Sequence, residues 1–457
     1  MVRLFHVYYP VRTLLLLIGE AVVVCASLLV AALIRLGPDS FLVLNIQYGY
    51  YKILLVTGVA LLCAYYFDLY APEQLASSAE TYFRLLLVLG LLSFLLAGVG
   101  YAFPEFMLEN GAFTLGLVIL TFGLLSWRAI YAWLIRRPML RERVYVLGAG
   151  ERASRLVEML RRREDLGMEV VGWAGAIGNG GFTRDNLANN LATLHRSGRV
   201  ETVIVALSDR RGTMPVRELL DLRLSGIRIE DASTLLEKIE GQIDVEGLHP
   251  SALIFAEGFQ LNQGFLLARR VVSMLVAFTS LLICLPFIPL IALAIKLTSP
   301  GAVLFRQERV GRNGAVFTLF KFRTMRTDAE VNGAQWATKH DPRITPVGRF
   351  LRSTRLDEIP QLWNVLRGDM GFVGPRPERP EFVQWLSGVV PYYNLRHIIR
   401  PGLTGWAQVR YQYGASVEQT KRKLQYDVYY IKHMSLALDL LIIFETVKTV
   451  LLRRGSQ

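Results

Sequence analysis

Residues 349–377 read RFLRSTRLDEIPQLWNVLRGDMGFVGPRP. The stretch sets adjacent carboxylates, Asp357 and Glu358, behind three arginines, Arg349, Arg352 and Arg355, and closes on Gly374-Pro375-Arg376-Pro377. Proline is accommodated in a helix only within its first turn, so Pro360 predicts that a helix covering 361–366 begins near Asp357 or Glu358. Both carboxylates then lie at a helix N-terminus, whose partial positive charge and free N–H groups favour ionised carboxylate and phosphate alike. Adjacent acids among arginines suit chemistry in which a phosphate is held, a metal neutralises it and a carboxylate attacks it. In isolation such a pair reads as a helix cap beside a solvated basic face. The remainder of the chain weighs against that.

The chain has 457 residues, 52% of them hydrophobic, and its mean hydropathy of +0.34 is too apolar for an ordinary soluble enzyme. It is therefore expected to be a membrane protein. A formal charge of +13 points to a face against anionic lipid and to anionic substrates. Nucleic acid would explain the charge but not the apolar runs, so no nucleic-acid partner is expected. Cys25, Cys63 and Cys284 all fall inside apolar runs and read as packing residues, without a disulfide framework or thiolate metal site.

Four apolar runs, roughly 14–36, 53–69, 85–103 and 113–135, are each long enough to cross about 30 Å of hydrocarbon. Arg3 and Arg12 precede the first, and Arg136, Arg137, Arg141 and Arg143 follow the last, which places both ends of this bundle in the cytoplasm. Glu20 lies within the first run near its cytoplasmic end, where an interfacial role is the plain reading. Next come a strand at 144–147, the turn Gly148-Ala149-Gly150 and a helical run to 160, with further strands at 169–173 and 202–207. Strand, Gly-rich turn and helix predict a Rossmann-like α/β domain. The acid that would hold a ribose is missing from 174–181, AGAIGNGG, so no cofactor site is expected there and the domain reads as degenerate or regulatory.

A fifth apolar run, 271–295, is long enough to span, yet residues 298–457 carry 24 Lys and Arg against 13 Asp and Glu. Carrying that charge outward would violate the positive-inside rule. Pro286 and Pro289 break the run, and a re-entrant helix that dips into one leaflet and returns satisfies both facts. At the C-terminal end, 436–452 can form a helix that lies in the membrane interface or packs on the domain core.

From about residue 268 onward the chain resembles the bacterial sugar transferase family, the polyprenyl-phosphate hexose-1-phosphate transferases. The resemblance rests on the broken helix ending KLTSPG at 296–301, then FRQERVGRNG, FKFRTM, DPRITPVGRFLRSTRLDEIPQLWNVLRGDMGFVGPRP and RPGLTGWAQV, in order. The N-terminal part is similar to the family's long form, and the whole resembles members from exosortase-associated exopolysaccharide loci. The implied architecture is a mixed membrane protein: four transmembrane helices (1–140), a Rossmann-like domain (141–262), a re-entrant helix (263–297) broken at Pro286, and a mostly helical catalytic domain (298–457). The implied activity is transfer of a sugar-1-phosphate from a UDP-sugar to polyprenyl phosphate, with UMP released and Mg2+ required, at the cytoplasmic side of a bacterial inner membrane. The resemblance implies that Asp357 is the nucleophile and that Glu358 assists it in binding metal, with Asp427 near the metal. Lys321, Arg323, Arg352, Arg376 and Arg400 are the implied phosphate-binding residues. A homodimer is the expected assembly.

Two rival readings compete. A membrane-bound nucleotide-sugar dehydratase or epimerase needs a Tyr-x-x-x-Lys pair, and the only such spacing, Tyr48 to Lys52, lies at a membrane edge. A non-catalytic assembly scaffold would leave the acid pair merely structural.

Overall fold

The computed structural model describes residues 1–74, 78–106, 111–173, 200–207, 214–245, 258–259, 262–329, 341–411 and 416–452. The chain divides into two compact units, Met1–Val2 with Tyr8–Leu235, and Arg3–Val7 with Leu236–Gln457.

In the first unit the apolar runs form helices α1 (Val11–Leu36), α2 (Gly49–Tyr66), α3 (Ala79–Ala102) and α4 (Ala112–Ile135). Ser78 caps α3, accepting from the Thr81 backbone N–H at 3.2 Å, with Glu80 in the first turn against the helix dipole. Val24, Leu28, Val56, Leu85, Val88, Leu92, Leu120 and Leu124 form the buried interior of the bundle. Gly19 is needed where α1 meets α4, because a Cβ there would lie 1.9 Å from the Trp127 ring. The next residue, Glu20, is 2% exposed and paired with Arg128, its Oε1 2.5 Å from Nε, while Tyr70 donates to Oε2 at 2.7 Å. Sequence reasoning missed Arg128, with which Glu20 is buried among the helices. The partner lies 108 residues away, beyond the reach of local pattern.

The same unit holds a four-stranded parallel sheet of β1 (Glu142–Leu147), β2 (Met168–Trp173), β3 (Thr202–Val205) and β4 (Arg228–Asp231), ordered β2-β1-β3-β4. The helix Glu151–Arg162 follows β1, as the Gly-rich turn predicts. A Cβ on Gly148 would sit 2.5 Å from the Ala206 carbonyl oxygen, so the turn demands glycine. Residues 174–181, where the ribose acid was sought, lie outside the described residues.

The second unit begins its main body with α5 (Gln263–Cys284) and α6 (Phe287–Thr298), separated by Leu285 and Pro286. Both pack into one core: Ala277 of α5 and Ile291 and Ile295 of α6 join Leu319, Phe322, Leu351, Leu362 and Val365. Strands β5 (Leu304–Val310) and β6 (Val316–Phe322) form an antiparallel hairpin with Leu304 opposite Phe322. After it come α7 (Pro346–Ser353), α8 (Gln361–Arg367) and β7 (Gly371–Val373), which pairs in parallel with β8 (Gly402–Thr404). A Cβ on Gly402 would lie 2.1 Å from the Gly374 nitrogen, so the glycines of the GPRP and RPGLTG motifs let the two segments touch. Helices α9 (Val417–Lys432) and α10 (Leu436–Leu451) complete the unit. Of the two alternatives for α10, the structure shows packing on the core: Leu438, Asp439 and Ile442 are buried, and Asp439 accepts from Arg269 at 2.7 Å and from Tyr430 at 2.5 Å.

Among the described residues five helices are long and apolar enough to cross a membrane: the stretch Val11–Asn45, then α2, α3, α4 and α5. The molecule is a membrane protein of mixed fold.

Candidate active site

Thr345 caps α7 by accepting from the Gly348 N–H at 3.0 Å, with Pro346 in the first position. The helix stops at Ser353, and Arg355 adopts a left-handed conformation, φ 58°, that throws the chain into a 3-10 turn, Leu356–Glu358. Asp357 and Glu358 occupy this turn. Helix α8 starts only at Gln361, with Pro360 as its N-cap, so the expected start at Asp357 or Glu358 is corrected by one turn. The reason is Arg355: its left-handed reversal ends α7 and sets residues 356–358 in a tighter 3-10 turn before α8. Ile359 and Leu362 sink into the core and hold the turn in place.

Asp357 and Glu358 are 7% and 9% exposed. Glu358 Oε1 lies 2.8 Å from the Arg376 guanidinium, 3.5 Å from that of Arg355 and 3.7 Å from Lys321 Nζ. Lys321 arrives on β6, and Arg352 on the last turn of α7, steadied by an Nε donation to Thr324 Oγ1 at 2.9 Å. Burial pushes the Asp357 carboxyl up, the Glu358 charge adds to this, and Lys321, Arg352 and Arg376 pull the other way. Burial acts equally on Glu358, but Arg376, Lys321 and Arg355 outweigh it and hold that carboxyl well below the usual range. Two carboxylates thus face four cations, Lys321, Arg352, Arg355 and Arg376, leaving positive charge for an anion.

The structure gathers Lys321, Arg352 and Arg376 around the pair but directs Arg323 elsewhere. Its guanidinium donates to the carbonyl oxygens of Ser299 and Pro300, each at 2.8 Å, clasping the end of α6. Asp427 is fully buried and paired with Arg396 at 2.9 Å, and burial raises its carboxyl to about 6 against the pull of Arg396. Arg396 in turn donates to the Arg376 carbonyl at 2.9 Å, so Asp427 reaches the site through Arg396 and the Arg376 backbone. Arg400 lines a cleft with Arg269, Arg270 and Arg312. Arg355 was read as a flanking arginine only; its i,i+3 spacing to Glu358 was the available signal.

Asp357 and Glu358 fit Mg2+, which ordinarily takes one or two carboxylates and completes its shell with phosphate and water. Among the described residues no cluster of three or more His, Cys, Asp or Glu forms, so Asp427 stands apart from them.

Residues 265–453 match the bacterial sugar transferase family. Over 242 residues the chain is 39% identical to the UDP-N-acetylgalactosamine-undecaprenyl-phosphate N-acetylgalactosaminephosphotransferase of Aeromonas hydrophila, covering 53% of this chain and 56% of that protein. It is 32% identical over 342 residues to the undecaprenyl-phosphate glucose phosphotransferase of Komagataeibacter xylinus, covering 72% of this chain and 63% of that one. With the UDP-glucose:undecaprenyl-phosphate glucose-1-phosphate transferase of Escherichia coli (strain K12) it shares 35% identity over 329 residues, 69% of each chain. The match thus spans about three fifths of the first two relatives. With a match that covers 69% of each chain at 35% identity, the chain belongs to the bacterial sugar transferase family.

Proposed function

We propose that the protein transfers a hexose-1-phosphate from a UDP-sugar to undecaprenyl phosphate, releasing UMP, through a phosphosugar carried on Asp357. The observation that carries this reading is the buried pair Asp357 and Glu358 facing four cations. An Asp357 carboxylate oxygen attacks the phosphorus that bears the sugar; a new P–O bond forms as the P–O bond to UMP breaks, and UMP leaves with the electron pair. An oxygen of the lipid phosphate then attacks the same phosphorus, the bond to Asp357 breaks, and the carboxylate is restored. Lys321, Arg352 and Arg376 hold the phosphates, the arginines through their two-pronged guanidiniums and the lysine as a point charge, beside buried carboxylates where screening is reduced. Burial removes the water that would otherwise hydrolyse the carried phosphosugar. Asp357 and Glu358 would hold Mg2+ together with the donor phosphates, and the ion would supply neutralisation of diphosphate charge.

The α5–α6 segment is read as re-entrant. Arg269 and Arg270 tie its start to the carbonyls of Val373, Val365 and Leu366, and Arg323 ties its end to the same folded unit. Both ends therefore belong on one side, cytoplasmic by the charge rule, at a bacterial inner membrane. The relatives' names, which include an exopolysaccharide production protein of Rhizobium leguminosarum at 42% identity over 197 residues, support a role in starting exopolysaccharide synthesis. For the Rossmann-like domain we infer a role in homodimer formation or in regulation by nucleotide.

The decisive measurement is UMP release by purified protein with undecaprenyl phosphate, Mg2+ and a panel of UDP-sugars. Turnover with at least one sugar, and sugar label retained on Asp357 after denaturation, are the expected results. Turnover without retained label would exclude the covalent route.

A further inference from the structure

A cleft of about 390 Å3, counting the part open to solvent, lies beside the start of α5 and is lined by Leu266, Arg269, Arg270 and Ser273, with Arg312 and Arg400 opposite. Arg269 is neutralised by Asp439 at 2.7 Å. Among the described residues no carboxylate pairs with the other three. Arg270 donates to the carbonyls of Val365 at 2.6 Å and Leu366 at 2.9 Å, groups that carry no net charge. Arg312 Nε is buried without an acceptor. Burial, and then Arg270, Arg312 and Arg269 in turn, destabilise the charge on Arg400. Asp369 lies near enough to favour the Arg270 charge, but it is shared with Arg367 at 3.6 Å, and no carboxylate is paired with Arg312 or Arg400 among the described residues. Cations crowded together with so little opposing charge make a site suited to an anion.

Two further facts say which anion. The cleft opens at the head of a helix whose other face exposes Leu267, Val271, Leu275, Phe278 and Leu282, a surface suited to acyl chains. The two guanidiniums without a carboxylate, Arg312 and Arg400, also match a phosphomonoester, which carries nearly two negative charges at neutral pH, better than a phosphodiester, which carries one. We propose that this cleft seats the phosphomonoester headgroup of a lipid, the acceptor of the transfer reaction, apart from the donor-binding group around Asp357. The assignment rests on the function proposed above. The β7–β8 seam joins the two places: Gly371 lines the cleft, Arg376 just beyond β7 holds Glu358, and the Gly402 N–H, two residues after Arg400, donates to the Pro375 carbonyl at 2.9 Å. An acceptor phosphate in the cleft therefore waits beside the carboxylate that carries the sugar.

Arg312 is the residue to vary, because it stands only partly buried in the β5–β6 turn, outside the strands and helices. Full-length protein in neutral detergent is compared with R312Q and R312K for equilibrium binding of labelled undecaprenyl phosphate and of UMP, and for the KM of each substrate. Loss of one charge-assisted contact should weaken lipid-phosphate binding and raise its KM about tenfold in R312Q, and less in R312K. UMP binding and donor KM should stay within about twofold, since Arg312 is not among the donor-side cations. Unchanged lipid-phosphate binding in R312Q, or an equal loss of UMP binding, would overturn the assignment. Displacement of undecaprenyl phosphate by equimolar phosphatidylglycerol would overturn the monoester reading, and displacement by equimolar inorganic phosphate the lipid reading. Should the wild type fail to turn over any UDP-sugar, the proposed function falls while the binding arms still read the cleft. Turnover with unaltered R312Q binding removes the cleft assignment alone.

Discussion

Burial acts on Asp357 and Glu358 in the same sense, yet they titrate apart because the closer cations belong to Glu358. A nucleophile with a raised pKa must lose its proton, so activity should fall on acidification at a pH above that of an ordinary aspartate, near 3.9. Removing the Arg376 charge takes support from both carboxylates. R376Q should move the acid limb of kcat/KM to higher pH and lower the plateau at least tenfold, measured as UMP release between pH 5 and 9. In stability the two acids have opposite signs. Glu358, lowered, contributes stability above its unfolded pKa that is lost as pH falls through the folded value; Asp357, raised, contributes stability at low pH that is lost as pH rises through its folded value. Asp427, raised to about 6, behaves as Asp357 does, and its pairing with Arg396 strengthens as it ionises. D427N should lower kcat roughly tenfold or more through the displaced Arg376 backbone, with the Mg2+ dependence of the rate unchanged. An increased Mg2+ requirement in that variant would restore Asp427 to the metal.

Elements differ in how much of them is legible from the chain. The four bundle helices and the break at Pro286 follow from run length and from proline's missing N–H, which are local properties. The 3-10 turn carrying the acids does not, because it depends on the left-handed Arg355, a conformation imposed by the packing of Ile359 and Leu362 beneath it. Arg323 sits in the FKFRTM motif, for which the family resemblance implies phosphate binding. Its partners, Ser299 and Pro300, lie about one hairpin away, and nothing near it in sequence announces them. R323Q should release the end of α6, costing about 2–4 kcal/mol from three lost buried hydrogen bonds, read as earlier thermal unfolding of the second unit. For the α5–α6 break, cysteines at Gln263 and Ala302 in a cysteine-free background should react with an impermeant reagent from the same side of sealed vesicles. Opposite-side labelling would mean a span.

At the scale of the whole molecule, the two units carry different kinds of polar interior. In the first, Glu20 and Arg128 are both about 3% exposed and are deprived of water by a helical bundle. Breaking one half of such a pair leaves a buried charge, so E20Q or R128M alone should destabilise the first unit by about 3–5 kcal/mol, and the double variant by less. Thermal unfolding in detergent checks this, with UMP release as the control that chemistry in the second unit persists. The second unit contains a tie of another kind. Tyr429 donates to the His6 carbonyl across 423 positions, and Arg3 approaches the His433 ring at 3.4 Å. A ribosome thus releases one edge of this unit more than four hundred residues before the matching edge. That earlier strip of chain must wait, unmatched, while every helix of the bundle is made, so this edge of the second unit closes only after the bundle has been synthesised.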